Sequence, residues 1–184
     1  MAISNSGLIV GFSDTPGDVS GGVLTANNQA VLWTREGIVN LHTLPGDATA
    51  QATGVNDFGQ IIGTSFAANG NTRVFLYEHG RMYDLNTLVQ PNAPLYLLGT
   101  GDIDDRGEIT GYACVVVNGA CGNLVHTFVA IVAPGGGADD REQNRQSQQS
   151  RHVMAQPAVS DELREQVGRL QRFGHVKPER EPAQ

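Results

Sequence analysis

Residues 51–65 read QATGVNDFGQIIGTS. A polar cluster, Asn56-Asp57-Phe58-Gly59, separates two apolar runs. The pattern recurs as ISNSGLIVG at 3–11, VNDFGQIIG at 55–63 and IDDRGEITG at 103–111. The glycines of these copies, Gly7, Gly59 and Gly107, are 52 and 48 residues apart. A second motif follows each copy: QAVLW at 29–33, RVFLY at 73–77 and HTFVA at 126–130. A third follows twice, as NLHTL at 40–44 and DLNTL at 84–88. The constant order identifies a true repeat of about 48 residues.

The cluster is a repeated turn. A type I turn favours Ser, Asn or Asp at its first position and Gly at its fourth. Ser4, Asn56 and Asp104 stand first; Gly7, Gly59 and Gly107 stand fourth. Position three holds Ser6, Phe58 or Arg106, which share no chemistry, so a common ligand is not what the motif serves. Phe58 is expected at the turn tip, in solvent.

Each unit predicts four short strands, each bounded by turn residues. In the second unit they are ATGV, QIIGTSF, RVFLYE and RMYDLNT. The third and fourth join through EHG at 78–80, the counterpart of REG at 35–37. Four antiparallel strands per 40–50 residues is the pattern of a propeller blade. The expected fold is therefore all-β, with propeller-blade-like antiparallel sheets in about 2.7 units. The units fall roughly at 1–48, 49–97 and 98–134. The first lacks an upstream strand, which predicts that Met1 is not the native start and that units precede it. Trp33, Phe75 and Tyr77, on third strands, predict packing between sheets. The connection from second to third strand varies most, from SDTPGDVSGGVLTANN to AANGN to a cysteine hairpin. Variable loops on one face of a repeat fold often form the binding face.

Beyond Pro134 the composition changes. Residues 135–156 are polar and predict a disordered linker. Residues 157–175 predict a short amphipathic helix, with Ser160 as N-cap, Asp161 and Glu162 in the first turn, and Gly174 as terminator. Leu163, Val167, Leu170 and Phe173 form its apolar stripe. Residues 176–184 predict a disordered tail.

The net charge is −7, unevenly spread. Residues 1–134 hold eleven acids and four bases, Arg35, Arg73, Arg81 and Arg106, whereas 135–184 hold eight of each. An acidic body argues against nucleic acid, whose binding rests on neutralised phosphates, and against anionic membranes. No apolar run approaches the roughly 20 residues of a membrane span. No signal peptide is recognised.

Cys114 and Cys121, in CVVVNGAC, are either two free thiols or a hairpin disulfide. A two-residue turn at Asn118-Gly119 would leave them diagonal, at roughly 7–8 Å, beyond disulfide reach. A four-residue loop from Val116 to Gly119 would set them face to face. A bridge would imply an oxidising compartment.

The motifs in combination resemble a bacterial family described as the probable extracellular repeat, HAF family. The family's I-N-D-x-G-x-I-V-G, H-A-F-L and D-L-x-T-L correspond here to VNDFGQIIG, His126-Thr127-Phe128 and DLNTL. The resemblance covers residues 2–134. It implies an exported, surface-associated protein of unassigned activity. It carries over no catalytic residue.

Chemistry-bearing patterns are sparse. Asp102, Asp104, Asp105 and Glu108 suggest a calcium loop, but an EF-hand would need an oxygen ligand at Arg106 and a Glu at Ala113. His42, His79 and His126 occupy different repeat positions. Glycoside hydrolysis needs paired carboxylates across a cleft; Asp84, Asp104 and Glu108 are the candidates for that alternative. No catalytic residue, cofactor or metal is expected. The sequence favours a non-enzymatic surface-binding or structural module. Its partner would be an extracellular protein or glycan, with self-association through unpaired units. The alternatives are a carbohydrate-active enzyme and a remnant without function.

Overall fold

A computed structural model describes residues 1–14, 19–20, 23–24, 28–89, 93–131 and 157–173. The predicted linker at 135–156, the tail at 176–184, the Gly174 terminator and much of the 13–28 connection lie outside the described residues. The described residues form three larger antiparallel sheets, a separate two-stranded ribbon and one short C-terminal helix.

Sheet 1 contains β1 (Ala2–Ile3), β2 (Ile9–Asp14), β5 (Asn28–Thr34) and β6 (Gly37–His42), in that spatial order. A separate two-stranded ribbon, β3 (Val19–Ser20) and β4 (Val23–Leu24), lies in the connection between β2 and β5. Sheet 2 orders β7 (Thr49–Val55), β8 (Ile61–Phe66), β9 (Thr72–Glu78) and β10 (Arg81–Asp84) as a meander. A 3-10 turn, Leu85–Thr87, completes the segment expected to be strand through Thr87. Asp84 stops the strand there: its carboxylate accepts from the Asn86 amide, which holds the turn. In sheet 3, β12 (Ile109–Val117) pairs with β11 (Leu95–Ile103), β14 (His126–Ala130) and the short β13 (Ala120–Cys121).

Two expectations need correction. The first unit has its own upstream strand: Ala2 pairs with Val10 and Ile3 with Ile9. Two residues suffice because the Ser4–Gly7 turn fixes their register. The cysteine hairpin has a two-residue turn after all. Val117 pairs with Ala120 and Val116 with Cys121, with Asn118 and Gly119 at φ 51° and 78°. Two positive φ values mark the tight hairpin turn that Asn-Gly favours. The cysteines are diagonal, yet their Cα atoms are 5.4 Å apart and a disulfide joins them. The rule that diagonal pairs lie out of reach assumes a flat ladder. Here the diagonal pair lies within the Cα separation that a disulfide spans.

The sheets stack through apolar side chains. Val10, Ala30 and Leu41 of sheet 1 meet Ala50, Ala52, Ile61 and Phe75 of sheet 2. The opposite face of sheet 2, with Ile62, Val74 and Leu76, meets Leu97, Ile103, Ile109 and Ala113 of sheet 3. Alternation along each strand thus supplies both faces of the middle sheet, which is why β8, IIGTSF, is buried from Ile61 through Ser65. The far face of sheet 3, with Tyr96, Leu98 and the disulfide, receives α1 (Asp161–Phe173) through Val159, Leu163 and Val167. The Leu163 amide donates to the Ser160 hydroxyl at 3.2 Å, an N-cap bond. The side chains of Leu170 and Phe173 lie outside the described residues.

Candidate functional site

The three repeated turns lie at one end of the stack and share one geometry. The amides of Gly7, Gly59 and Gly107 donate to the carbonyls of Ser4, Asn56 and Asp104 at 3.1, 3.1 and 3.0 Å. The glycines take φ 86°, 79° and 77°, the left-handed region where a side chain is costly. The side-chain oxygens of Ser4, Asn56 and Asp104 accept from the amides of Leu8, Gln60 and Glu108 at 3.2, 3.0 and 2.9 Å. Short polar side chains at the first position therefore close the turn from inside. Phe58 is 76% exposed at its tip.

The second turn position does something the motif did not announce. The Ser6 amide donates to Asp57 Oδ1 at 2.7 Å, and the Asp57 amide donates to Asp105 Oδ1 at 2.9 Å. Asn56 Nδ2 also donates to the Asp104 carbonyl at 3.0 Å. The first turn is thus bonded to the second, and the second to the third. The Ser6 amide holds the Asp57 carboxyl below the usual aspartate range, and the Glu108 amide does the same for Asp104.

The acidic loop is already neutralised in part. Arg106 Nε contacts Asp104 Oδ2 at 3.0 Å and Arg106 Nη2 contacts Glu108 Oε2 at 2.9 Å. Asp102 instead accepts from the Ile103 amide at 2.9 Å. Among the described residues, no group of three His, Cys, Asp or Glu side chains is placed to hold a metal ion.

The opposite end carries a partly buried ion network. Arg73 reaches Asp47 at 2.9 Å, Asp84 at 3.3 Å and the Pro45 carbonyl at 2.8 Å. Burial holds Asp84 above the usual aspartate range, against the opposing Asn86 amide and Arg73. Asp84 is therefore tied to Arg73, and Asp104 and Glu108 to Arg106, so the three candidate carboxylates serve two separate ion pairs. The neighbouring Asn86, just after the last strand of sheet 2, bonds to Leu97 in sheet 3. Its Nδ2 donates to the Leu97 carbonyl at 3.2 Å and its Oδ1 accepts from the Leu97 amide at 2.7 Å. The variable connection 67–71 also lies at this end, and Arg164 of α1 donates to Asn71 Oδ1 at 2.8 Å.

Sequence reasoning singled out the turn glycines and the cysteines. It passed over Asp57 and Asn86, took Asp105 only as part of a calcium loop, and named Asp84 without its partner Arg73. The recurrence of Asp at the second turn position, in two of three copies, was the available signal. Among the described residues, no helix is long and apolar enough to cross a membrane. No family model, curated protein or solved structure matches this chain.

Proposed function

We propose that this chain is an exported, non-enzymatic β-repeat module of the HAF type, its three sheets serving as propeller-like blades. It acts at the cell surface or outside the cell by binding an extracellular protein or glycan. One observation carries this reading: the polar residues of the repeated motifs are spent joining one unit to the next. Ser6 to Asp57, Asp57 to Asp105 and Asn86 to Leu97 are such joints. A motif conserving joints between units builds a scaffold, and the connections that differ between units are then free to carry recognition. The Cys114–Cys121 disulfide supports export, since such bonds persist in oxidising compartments.

The binding surface is assigned to the end that holds the 13–28 and 67–71 connections. The test is a glycan array and a surface-protein screen with the full oxidised chain. A binder is expected, and its signal should fall when residues 67–71 are replaced by Gly and Ser. No binder in either screen would remove the binding role and leave a structural one.

A further inference from the structure

We infer that the seam between α1 and sheets 2 and 3 is a binding site for a small carboxylate with a compact apolar body. Among the described residues, these three elements leave a cavity of about 120 Å³ between them. Phe66, at the end of β8, and Leu98 of β11 wall it on the sheet side. Val159, just before α1, and Val167 within it wall it on the helix side. Leu98, Val159 and Val167 are all buried. An apolar cavity of roughly this size takes up a single benzene-sized ring.

Two glycines leave the space unfilled. A Cβ at Gly168 would meet nothing within 4 Å, although the residue stands inside a helix, where glycine is the poorest choice after proline. Gly70, in the connection between β8 and β9, also lines the cavity. A Cβ there would meet nothing nearer than Cδ and Nε of Arg164, at 3.9 Å.

Arg164 supplies the polar end of the site. Its Nη1 donates to Asp161 Oδ1 at 2.6 Å and its Nη2 to Asn71 Oδ1 at 2.8 Å. Its Nε is buried, lies beside Gly70 and meets no acceptor among the described residues. A buried guanidinium N–H without an acceptor is costly, so the position calls for an oxygen from elsewhere. Asp161 is 96% exposed, so water screens its charge and Arg164 remains cationic toward the cavity. A carboxylate meets both needs, accepting from Nε and answering the charge. The site therefore takes an aromatic or short branched-chain monocarboxylate. Its apolar body lies against Leu98 and Val167, and its carboxylate at Arg164 Nε.

Such an acid is neither a protein nor a glycan, so the inference is separate from the binding role proposed above, and its test uses neither screen. Amide spectra of the full oxidised chain are followed by NMR during titration with benzoate. Saturable shifts in the millimolar range are expected at Gly70, Leu98, Val167 and Gly168. Benzamidine has the same shape but carries a cation; it should bind roughly tenfold more weakly or not at all. Gly168→Leu should fill the cavity and remove the benzoate shifts while keeping the helix, since leucine is the better helix former. Arg164→Met should erase the preference for benzoate over benzamidine. No benzoate shift at these residues in the wild-type chain would overturn the proposal. So would equal binding of benzoate and benzamidine, or binding that survives Gly168→Leu.

Discussion

The ring of Phe75 occupies the space into which a side chain at Gly63 would project. A Cβ on Gly63 would come within 2.6 Å of Phe75 Cε1. The two residues are cross-strand partners in β8 and β9, and Phe75 is fully buried between sheets 1 and 2. Gly111 and Phe128 repeat the arrangement in sheet 3, again at 2.6 Å. The missing side chain therefore makes room for two things at once: the ring of the second motif and the backbone carbonyl of the strand on the other side, Gln51 at Gly63 and Gly99 at Gly111. Gly63→Ala should destabilise the protein by about 1–3 kcal/mol, the usual range for overpacking. Phe75→Ala should cost about 3–5 kcal/mol. Urea denaturation of both variants and the double variant measures the coupling. Additive effects would mean that the Gln51 carbonyl, which Phe75→Ala leaves in place, sets the cost at Gly63.

Gly59 tests the turn itself. Its φ of 79° is open to Asn at modest cost and resists β-branched residues. Gly59→Val should lower the melting temperature well beyond Gly59→Asn. Equal stability of Gly59→Val and wild type would contradict the turn geometry.

The turn row should loosen in acid. Asp57 and Asp104 titrate below the usual aspartate value because amides bond their charged forms. A depressed native pKa stabilises the fold above the unfolded value, about 3.9. That contribution disappears as pH falls through the lower native value. Asp57→Asn keeps an oxygen acceptor for Ser6 and removes the titration. The acid limb of a melting-temperature profile should therefore be shallower in Asp57→Asn than in wild type, below about pH 4. Parallel limbs would mean that the Ser6 bond does not favour the carboxylate.

The repeat was legible because its signals are local. Turn residues bracket each strand, and the Ile61-Ile62 pair already says that both faces of β8 are covered. The joints between turns were not legible, because they link positions 48 to 51 residues apart. Asp57 looks like any solvated turn acid until the Ser6 amide is beside it. The cysteine hairpin failed for a different reason. Asn118-Gly119 signalled a two-residue turn, one of the two loops considered, and the error was to hold that this turn would keep Cys114 and Cys121 apart. The docking of α1 was open in the sequence, where the stripe from Leu163 to Phe173 showed an apolar face without showing what it covers.

The disulfide and α1 should depend on each other. Cys114 and Cys121 pack beneath Leu163 and Val167. Closing so short a loop stabilises by roughly 2 kcal/mol in the chain-entropy account. Reduction should lower the melting temperature and speed amide exchange in residues 163–169 before that of β8. Leu163→Ala should expose the same helix amides with the disulfide intact. Helix protection unchanged by both would contradict the packing.

Asn86 should carry a stability cost out of proportion to its size. Its amide group meets both polar groups of the Leu97 backbone, donating to one and accepting from the other. Leu97 is itself buried, so Asn86→Ala leaves an amide and a carbonyl without that partner. An unmet buried polar group costs about 1–3 kcal/mol. Asn86→Asp separates the two bonds. Its carboxylate can still accept from the Leu97 amide, but it sets an anion against the Leu97 carbonyl. Hydrogen exchange should show the Leu97 amide unprotected in Asn86→Ala and protected in Asn86→Asp, with both variants less stable than wild type. Wild-type stability in Asn86→Ala would mean that the bonds to Leu97 add nothing to the hold between sheets 2 and 3. The DLNTL motif would then act only within its own unit, through the Asp84 bond to the 3-10 turn.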